Sequence, residues 1–215
     1  MPRIRHREFV KRLEKASAFN FKLVESRLGK NYAKVFIHNL KRRGRIIELI
    51  KGWYSFKKSP YLITVPLGEA YIGLGTAAFL HNAWAQIPNI DVLTPRAPIK
   101  VKTGERVIAG RKVVIRRLSR QMYFGYGTMY LDEAKDWVRV SDPEKTLIDL
   151  IYYNYPFLDE ISPRLLEMVE KKKLTGYLKR IRGIRGSKKI EKKVKEFLSK
   201  KSKKLTLRTA PGSSA

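Results

Sequence analysis

The first 58 residues alternate amphipathic stretches with glycines, in a pattern that predicts three short helices. Apolar residues recur at helical spacing within 5–16. Asn20 is suited to cap a second helix over 21–28, because its side chain can accept a hydrogen bond from an amide of the first turn. Gly29 ends that helix, and Asn31 opens a third one that Gly44 stops.

The third helix has an apolar stripe and a basic face. Four apolar residues at helical spacing predict its buried side: Tyr32, Val35, Phe36 and Leu40. The remaining positions are polar or basic, and we expect them to face a ligand: Lys30, Asn31, Lys34, His38, Lys41 and Arg42.

Two apolar runs after the third helix, 45–50 and 53–56, flank Lys51-Gly52 and predict a β-hairpin. Three helices and a hairpin in fewer than 60 residues is the element order of a winged helix-turn-helix. Such domains place the third helix in a major groove and the hairpin beside it on phosphate.

The middle of the chain, 59–162, mixes strand and helix signals. Four runs are rich in residues typical of strands: 61–65, 90–93, 106–108 and 113–115. Residues 71–85 are more helical, and a further helix begins at Pro143 with Asp142 as its cap. We expect Glu144 and Asp149 of that helix to be exposed. The fold class predicted for the whole chain is α+β.

The last segment, 163–215, predicts a basic helical extension and a polar tail. One helix is expected to start at Ser162-Pro163. Ile190, Val194 and Phe197 then recur at helical spacing among lysines, which predicts a basic amphipathic helix.

Charge is distributed unevenly over these three segments. The chain has 215 residues with 47 Lys and Arg against 19 Asp and Glu, a net charge of +28. Residues 1–58 hold 17 basic and 4 acidic residues, 59–162 hold 12 and 11, and 163–215 hold 18 and 4. Two cationic ends around a nearly neutral centre indicate a polyanionic partner, nucleic acid above all.

The cationic ends supply the candidate binding residues. Near the third helix and the hairpin, the candidates outside the basic helix face are Arg43, Arg45, Lys51, Lys57 and Lys58. We expect them to contact the phosphate backbone of the nucleic acid. The C-terminal candidates are Lys171, Lys172, Lys173, Arg180, Arg182, Arg185, Lys188, Lys189, Lys192 and Lys193.

Catalytic and cofactor signals are weak. The chain has no cysteine, and its three histidines are far apart, so no metal-ligand spacing is present. Residues 73–78 spell a dinucleotide fingerprint with the alanine variant, but only the short run 70–72 precedes it and the nearest acid, Asp91, falls short of the required spacing, so we expect no dinucleotide there. We expect a cytoplasmic protein without enzymatic activity, cofactor, metal or membrane association.

Several segments resemble the AbiEi family, the antitoxins and transcriptional regulators of type IV toxin–antitoxin systems. The matching segments lie within roughly 15–155 and are Lys51-Gly52-Trp53-Tyr54, 70–73, 77–82, Thr94-Pro95-Arg96 and, most specific, 140–149. The resemblance implies a DNA-binding winged helix followed by an α/β domain, operator binding without enzymatic activity, and a nucleotidyltransferase-like toxin as partner.

Two functions remain open. The resemblance implies a regulator that binds duplex DNA through its third helix and hairpin, as a homodimer on inverted repeats. The excess charge and the Arg-Gly-Lys segment 180–189 favour a ribosome-associated factor that reuses the same fold and grips ribosomal RNA with both cationic ends, because arginine-rich segments order on folded RNA.

Overall fold

The computed structural model describes residues 6–86, 89–97 and 99–209, with side chains described to residue 199. The described residues form helices and two sheets, in agreement with the α+β class. They divide into two compact units. The first comprises the described parts of 1–72, 89–119 and 127–140, and the second those of 73–88, 120–126 and 141–215. These units interleave along the chain, and the division into three consecutive segments stays a prediction.

The first unit begins with the predicted helices and hairpin. The helices are α1 (Arg7–Lys15), α2 (Phe21–Leu28) and α3 (Lys30–Arg42). A small antiparallel sheet of order β1-β3-β2 comprises β1 (Phe19–Asn20), β2 (Ile47–Ile50) and β3 (Trp53–Ser55). The cap at Asn20 is confirmed, since its Oδ1 accepts from Leu23 N–H at 2.8 Å. The hairpin at Lys51-Gly52 is also confirmed, whereas the pairing of β1 with β3 was not predicted.

The buried face of α3 differs from the predicted stripe. Ala33, Phe36 and Ile37 are buried in a core with α1, α2 and the hairpin. Tyr32 and Val35 are 44% and 55% exposed, so the prediction that they are buried was wrong. Their positions on α3 lie just beyond the arc that the neighbouring elements cover.

A six-stranded mixed sheet completes the first unit, in the order β6-β7-β5-β4-β9-β8. Its strands are β4 (Tyr71–Ile72), β5 (Ile90–Thr94), β6 (Gly104–Ile108), β7 (Arg111–Arg117), β8 (Tyr126–Leu131) and β9 (Asp136–Ser141). Strands at 90–93, 106–108 and 113–115 are confirmed. The strand predicted at 61–65 is wrong, because Pro60–Ile63 forms a 3₁₀ turn that continues into α4 (Thr64–Leu67). Pro60 opens this turn with the φ angle that a helical start requires.

The second unit is a cluster of helices around a central one. Its helices are α5 (Leu74–Leu80), α6 (Pro143–Tyr152), α7 (Leu158–Met168), α8 (Lys171–Arg180) and α9 (Ser187–Thr209). The other four contact α6. The cap of α6 is confirmed, since Asp142 Oδ1 accepts from Lys145 N–H at 2.8 Å. So is the amphipathic pattern of α9, whose Ile190, Val194 and Phe197 are buried.

The start predicted for α7 is wrong. The helix begins at Leu158 and Pro163 lies inside it, one turn and a half from its start. Proline removes one backbone hydrogen bond, to the carbonyl four residues earlier. That residue, Asp159, is exposed, so water can replace the missing donor.

Helix α6 is buried along its whole length, contrary to the expected exposure of Glu144 and Asp149. Glu144, Lys145 and Asp149 are 2%, 0% and 0% exposed. Helices on several sides leave α6 no solvent face, so each charge needs an internal partner. Lys145 Nζ donates to Asp149 and lies 5.3 Å from the centroid of the Phe124 ring. Burial lowers the pKa of Lys145, and Asp149 opposes that effect.

Gly75 of α5 lies in close contact with two aromatic side chains outside the helices. A Cβ atom at this position would overlap the Tyr155 hydroxyl and lie 2.9 Å from Trp84 Cζ3. Both aromatic residues belong to the second unit, and their rings meet edge to face at 6.2 Å. The absence of a side chain at residue 75 therefore permits this aromatic packing.

Gly75→Ala should destabilise the protein by about 1–3 kcal/mol, because the added methyl must displace packed rings. The matched control is Gly176→Ala in α8, where a Cβ meets nothing within 4 Å. That variant should gain about 0.5–1 kcal/mol of helix stability. Chemical denaturation measures both, and a neutral Gly75→Ala would contradict the close contact.

Candidate nucleic-acid interface

The predicted basic face of α3 is on the surface. Burial of Ala33, Phe36 and Ile37 orients the helix, and the intervening positions therefore point to solvent. Six predicted binding residues on this helix are exposed: Lys30, Asn31, Lys34, His38, Lys41 and Arg42.

Lys41 connects α3 to the hairpin. Its Nζ donates to Glu48 Oε2 of β2 and lies 5.9 Å from the centroid of the Tyr54 ring. Glu48 Oε1 also accepts from the N–H of Gly52 in the hairpin turn, at 3.0 Å. The hydrogen bond with Glu48 raises the pKa of Lys41 despite some burial. Lys41 thus positions the hairpin, and its charge is partly neutralised.

Two other predicted contacts are also ion-paired within the first unit. Arg45 bonds to Glu14 at 2.6 Å and lies over Phe56. Lys57, with 18% of its side chain exposed, bonds to Asp136 Oδ2 at 2.7 Å. Burial acts to raise the pKa of Asp136, but the hydrogen bond from Lys57 helps to hold it below its ordinary value. The Lys57–Asp136 ion pair therefore joins the segment 55–58 to the start of β9.

The other basic residues predicted as contacts around α3 and the hairpin have no carboxylate within ion-pair distance in the described part of the chain. They are Lys30, Lys34, Arg42, Arg43, Lys51 and Lys58, all exposed. We use the name α3 patch for Lys30, Asn31, Lys34, His38 and Arg42. A helix face with several uncompensated cations is suited to bind a row of phosphates.

In the second unit, one lysine holds α8 against the start of α6. Lys173 Nζ lies 3.0 Å from both Asp142 Oδ2 and Glu144 Oε2. The Tyr177 hydroxyl donates to Asp142 at 2.7 Å, and Glu170 N–H donates to Glu144 Oε1 at 2.7 Å. We use the name carboxylate clamp for Asp142, Glu144, Lys173 and Tyr177. It fixes the N-terminal half of α8.

Titration within the clamp follows from these bonds. Burial opposes the charge of Lys173, but hydrogen bonds to Glu144 and Asp142 outweigh it and raise the pKa of Lys173. Burial likewise opposes ionisation of Glu144, yet the bonds from Glu170 N–H and Lys173 hold its pKa below the ordinary value. Burial first, and then the bond to Asp142, raise the pKa of Tyr177 to about 12. Glu144, Lys173 and Tyr177 therefore keep their bonding protonation states at neutral pH.

The remaining C-terminal candidates fall into two groups. Arg180 lies 4.4 Å from the Phe124 ring centroid, Arg182 is 3.4 Å from Glu191, Lys189 donates to Asn154, and Lys193 lies over Phe197. The second group is exposed and has no carboxylate partner in the described residues: Lys171, Lys172, Arg185, Lys188 and Lys192. We use the name C-terminal patch for this second group.

Sequence reasoning identified the cations but not the distinction between paired and unpaired ones. Lys173 and Glu144 are 29 positions apart, and Lys57 and Asp136 are 79 apart, so no local spacing signals either pair. The structure places the α3 patch in the first unit and the C-terminal patch in the second.

Two further features bear on chemistry. In the part of the chain that the structure describes, no three His, Asp or Glu side chains are gathered so as to hold a metal ion. Among the same residues, no helix combines the length and apolar character needed to cross a membrane.

Comparison with known proteins bears on the fold. No protein-family model and no curated protein sequence matches this chain. The crystal structure of the RV2827C protein from Mycobacterium tuberculosis is similar to it, with a TM-score of 0.52 and 16% identity, over 83% of this chain and 71% of that one. At such identity the likeness concerns the fold alone and agrees with a mixed α+β architecture.

Lys173→Ala should lower the free energy of unfolding by about 1–2 kcal/mol, because it leaves the buried Glu144 without its cation. This is below the cost of breaking a fully buried pair, since the Lys173 side chain is 39% exposed. The adjacent Lys172→Ala should change stability by less than about 0.5 kcal/mol. Equal unfolding midpoints for the two variants in urea would contradict the clamp.

Proposed function

We propose that this protein is a non-enzymatic nucleic-acid-binding protein, similar in role to AbiEi-type transcriptional regulators, that binds duplex DNA through α3 and the β2–β3 hairpin. The observation that carries the proposal is the α3 patch: an exposed helix face whose cations have no carboxylate partners in the described residues. In a chain of net charge +28, such a face favours a polyanion.

The elements around α3 support this mode of binding. Helices α1 to α3 and the sheet β1-β3-β2 follow the order of a winged helix-turn-helix. In that arrangement the third helix enters a major groove and the hairpin contacts the neighbouring backbone. Asn31 and His38 are the members of the α3 patch suited to base edges, and its lysines and arginine to phosphates.

Arg43, Lys51 and Lys58 extend this surface. All three are exposed and lie close in sequence to the end of α3 or to the hairpin. Contacts from them would add affinity with little dependence on sequence, because phosphates are the same at every base pair. A homodimer on inverted repeats and a nucleotidyltransferase-like toxin partner belong to the same proposal.

A second function is favoured by the C-terminal patch. Helix α8, the segment 181–186 and helix α9 present cations on a surface that includes two exposed glycines, Gly183 and Gly186, with positive φ angles. An irregular cationic surface of this kind suits folded RNA better than a uniform duplex. The alternative is therefore a factor that binds ribosomal RNA on a ribosomal subunit.

Removing two charges from the α3 patch should weaken DNA binding. Lys34→Ala with Arg42→Ala should raise Kd for a 20-base-pair duplex about 10-fold or more in dilute salt. The slope of log Kd against log salt should fall by about 1.8, near 0.9 per lost phosphate contact. Fluorescence anisotropy across a salt series measures both.

The control for this variant removes the same net charge elsewhere in the first unit. Lys100→Ala with Lys102→Ala alters two exposed lysines outside every candidate surface. This control should change Kd less than about threefold. Equal losses in the two double variants would show that net charge alone, and not the α3 patch, determines binding.

The ribosomal alternative is tested by sedimentation of the whole protein with ribosomal subunits through a sucrose gradient. If the alternative holds, a quadruple variant should be released to the top of the gradient: Lys171→Ala, Lys172→Ala, Lys188→Ala and Lys192→Ala. A larger fraction of the Lys34→Ala and Arg42→Ala double variant should sediment with the subunit. Protein that never sediments with a subunit would exclude this alternative.

A further inference from the structure

A groove lies beside the α3 patch, between α1 and α3. It has a volume of about 150 Å³, and its apolar floor is formed by Val10, Phe36 and Leu40. Its sides are formed by Tyr32, Val35 and Asn39 of α3 and by Arg43 and Arg45, which follow the helix. All of these residues belong to the first unit.

The chemistry of this groove is unusual for the surface of so basic a protein. Tyr32 and Val35 are 44% and 55% exposed, although both present large apolar surfaces. The imidazole of His6 lies against the Tyr32 ring, with 5.9 Å between ring centroids. The Tyr32 ring, an apolar floor and a cationic rim together match a planar, polar-edged ligand that carries negative charge nearby.

Two polar side chains at the groove, those of Asn39 and Arg43, can bind the polar edge of a ligand. The side-chain amide of Asn39 makes no hydrogen bond to another part of the chain that the structure describes, so it can offer both a donor and an acceptor. The guanidinium of Arg43 has no carboxylate partner there either, and it is exposed. An amide of this kind can pair with the edge of a base, and a guanidinium can bind its phosphate.

The volume of the groove matches a single ring. A protein cavity of about 150 Å³ accommodates a single benzene-sized molecule. A pyrimidine base has a six-membered ring of that size, with hydrogen-bonding groups on its edge. The apolar side chain of a protein partner would fill the floor but would leave the Asn39 amide and the Arg43 charge unused.

We propose that the α1–α3 groove binds one unpaired pyrimidine base of a nucleic acid whose neighbouring phosphates lie on the α3 patch. This inference rests on the proposed function, because the α3 patch must hold the strand that delivers the base. Tyr32 stacks on the base, Asn39 pairs with its edge, and Arg43 contacts the adjoining phosphate. The protein then prefers duplexes that end in, or are interrupted by, single-stranded pyrimidines.

The test compares three forms of one 12-base-pair duplex: blunt, with a three-nucleotide pyrimidine overhang, and with a three-residue abasic overhang. The abasic form has the same number of phosphates as the pyrimidine form, so it isolates the contribution of the bases. Wild-type protein should bind the pyrimidine form about 10-fold more tightly than the abasic form. RNA and DNA versions distinguish the two sources of the base.

Tyr32→Ala and Asn39→Ala should each reduce that preference to about twofold or less, while blunt-duplex affinity changes by less than about twofold. Tyr32→Phe should retain the preference, since it keeps the stacking ring. The control is Leu23→Ala, which removes an exposed apolar side chain of α2 (48% exposed) outside the groove and should leave the preference unchanged.

A 5-iodouridine placed in the overhang should crosslink on irradiation to Tyr32, identified by mass spectrometry. Equal affinity for the pyrimidine and abasic forms, with blunt duplex still bound, would overturn the proposed binding of a base in the groove and leave the proposed function intact. Crosslinks confined to residues outside the groove would also overturn it. Failure to bind any of the three duplexes would overturn the proposed function and this inference together.

Discussion

The scarcity of carboxylates is the constraint on which the rest of this structure depends. With 19 acidic residues against 47 basic ones, most cations have no acid to neutralise them. The structure places several carboxylates against cations that hold its elements together. Asp149 bonds to the buried Lys145, Asp136 to Lys57, and Asp142 and Glu144 to Lys173. Because those acids are used internally, the cations of the α3 patch and the C-terminal patch have no carboxylate partner in the described residues, and a bound polyanion would relieve the repulsion among them.

This distribution separates two kinds of basic residue that look alike in sequence. Lys172 and Lys173 are neighbours, yet Lys172 is exposed while Lys173 bridges two carboxylates of α6. The carboxylates of the clamp lie at the start of α6, and the Lys145–Asp149 pair lies within it. This one buried helix therefore orients α8, whose lysines form part of the C-terminal patch. In the first unit, Glu48 has the corresponding role, because it bonds to both Lys41 and the hairpin turn. Structural ion pairs thus set the positions from which free cations project.

Helix α3 combines three surfaces in thirteen residues. One face enters the core, one carries the α3 patch, and the third lines the groove with Tyr32, Val35 and Asn39. The cationic face is suited to a phosphate backbone of any sequence, whereas an aromatic ring beside an unpaired amide is suited to an individual base. Both would be needed for a protein that recognises where a duplex ends or opens, which fits the DNA and the RNA proposals alike.

Much of this protein follows from local patterns in the sequence. Glycines, Asn20, Asp142 and apolar spacing predicted α2, α3, the β2–β3 hairpin, α6 and the amphipathic part of α9, because caps, turns and periodicity act over a few residues. The cationic ends were also evident from sequence alone. Only the tertiary structure decided that Glu144 and Asp149 are buried and that Tyr32 and Val35 are exposed. These outcomes depend on which neighbours cover a helix face and which distant carboxylate reaches a lysine, and such contacts join residues dozens of positions apart.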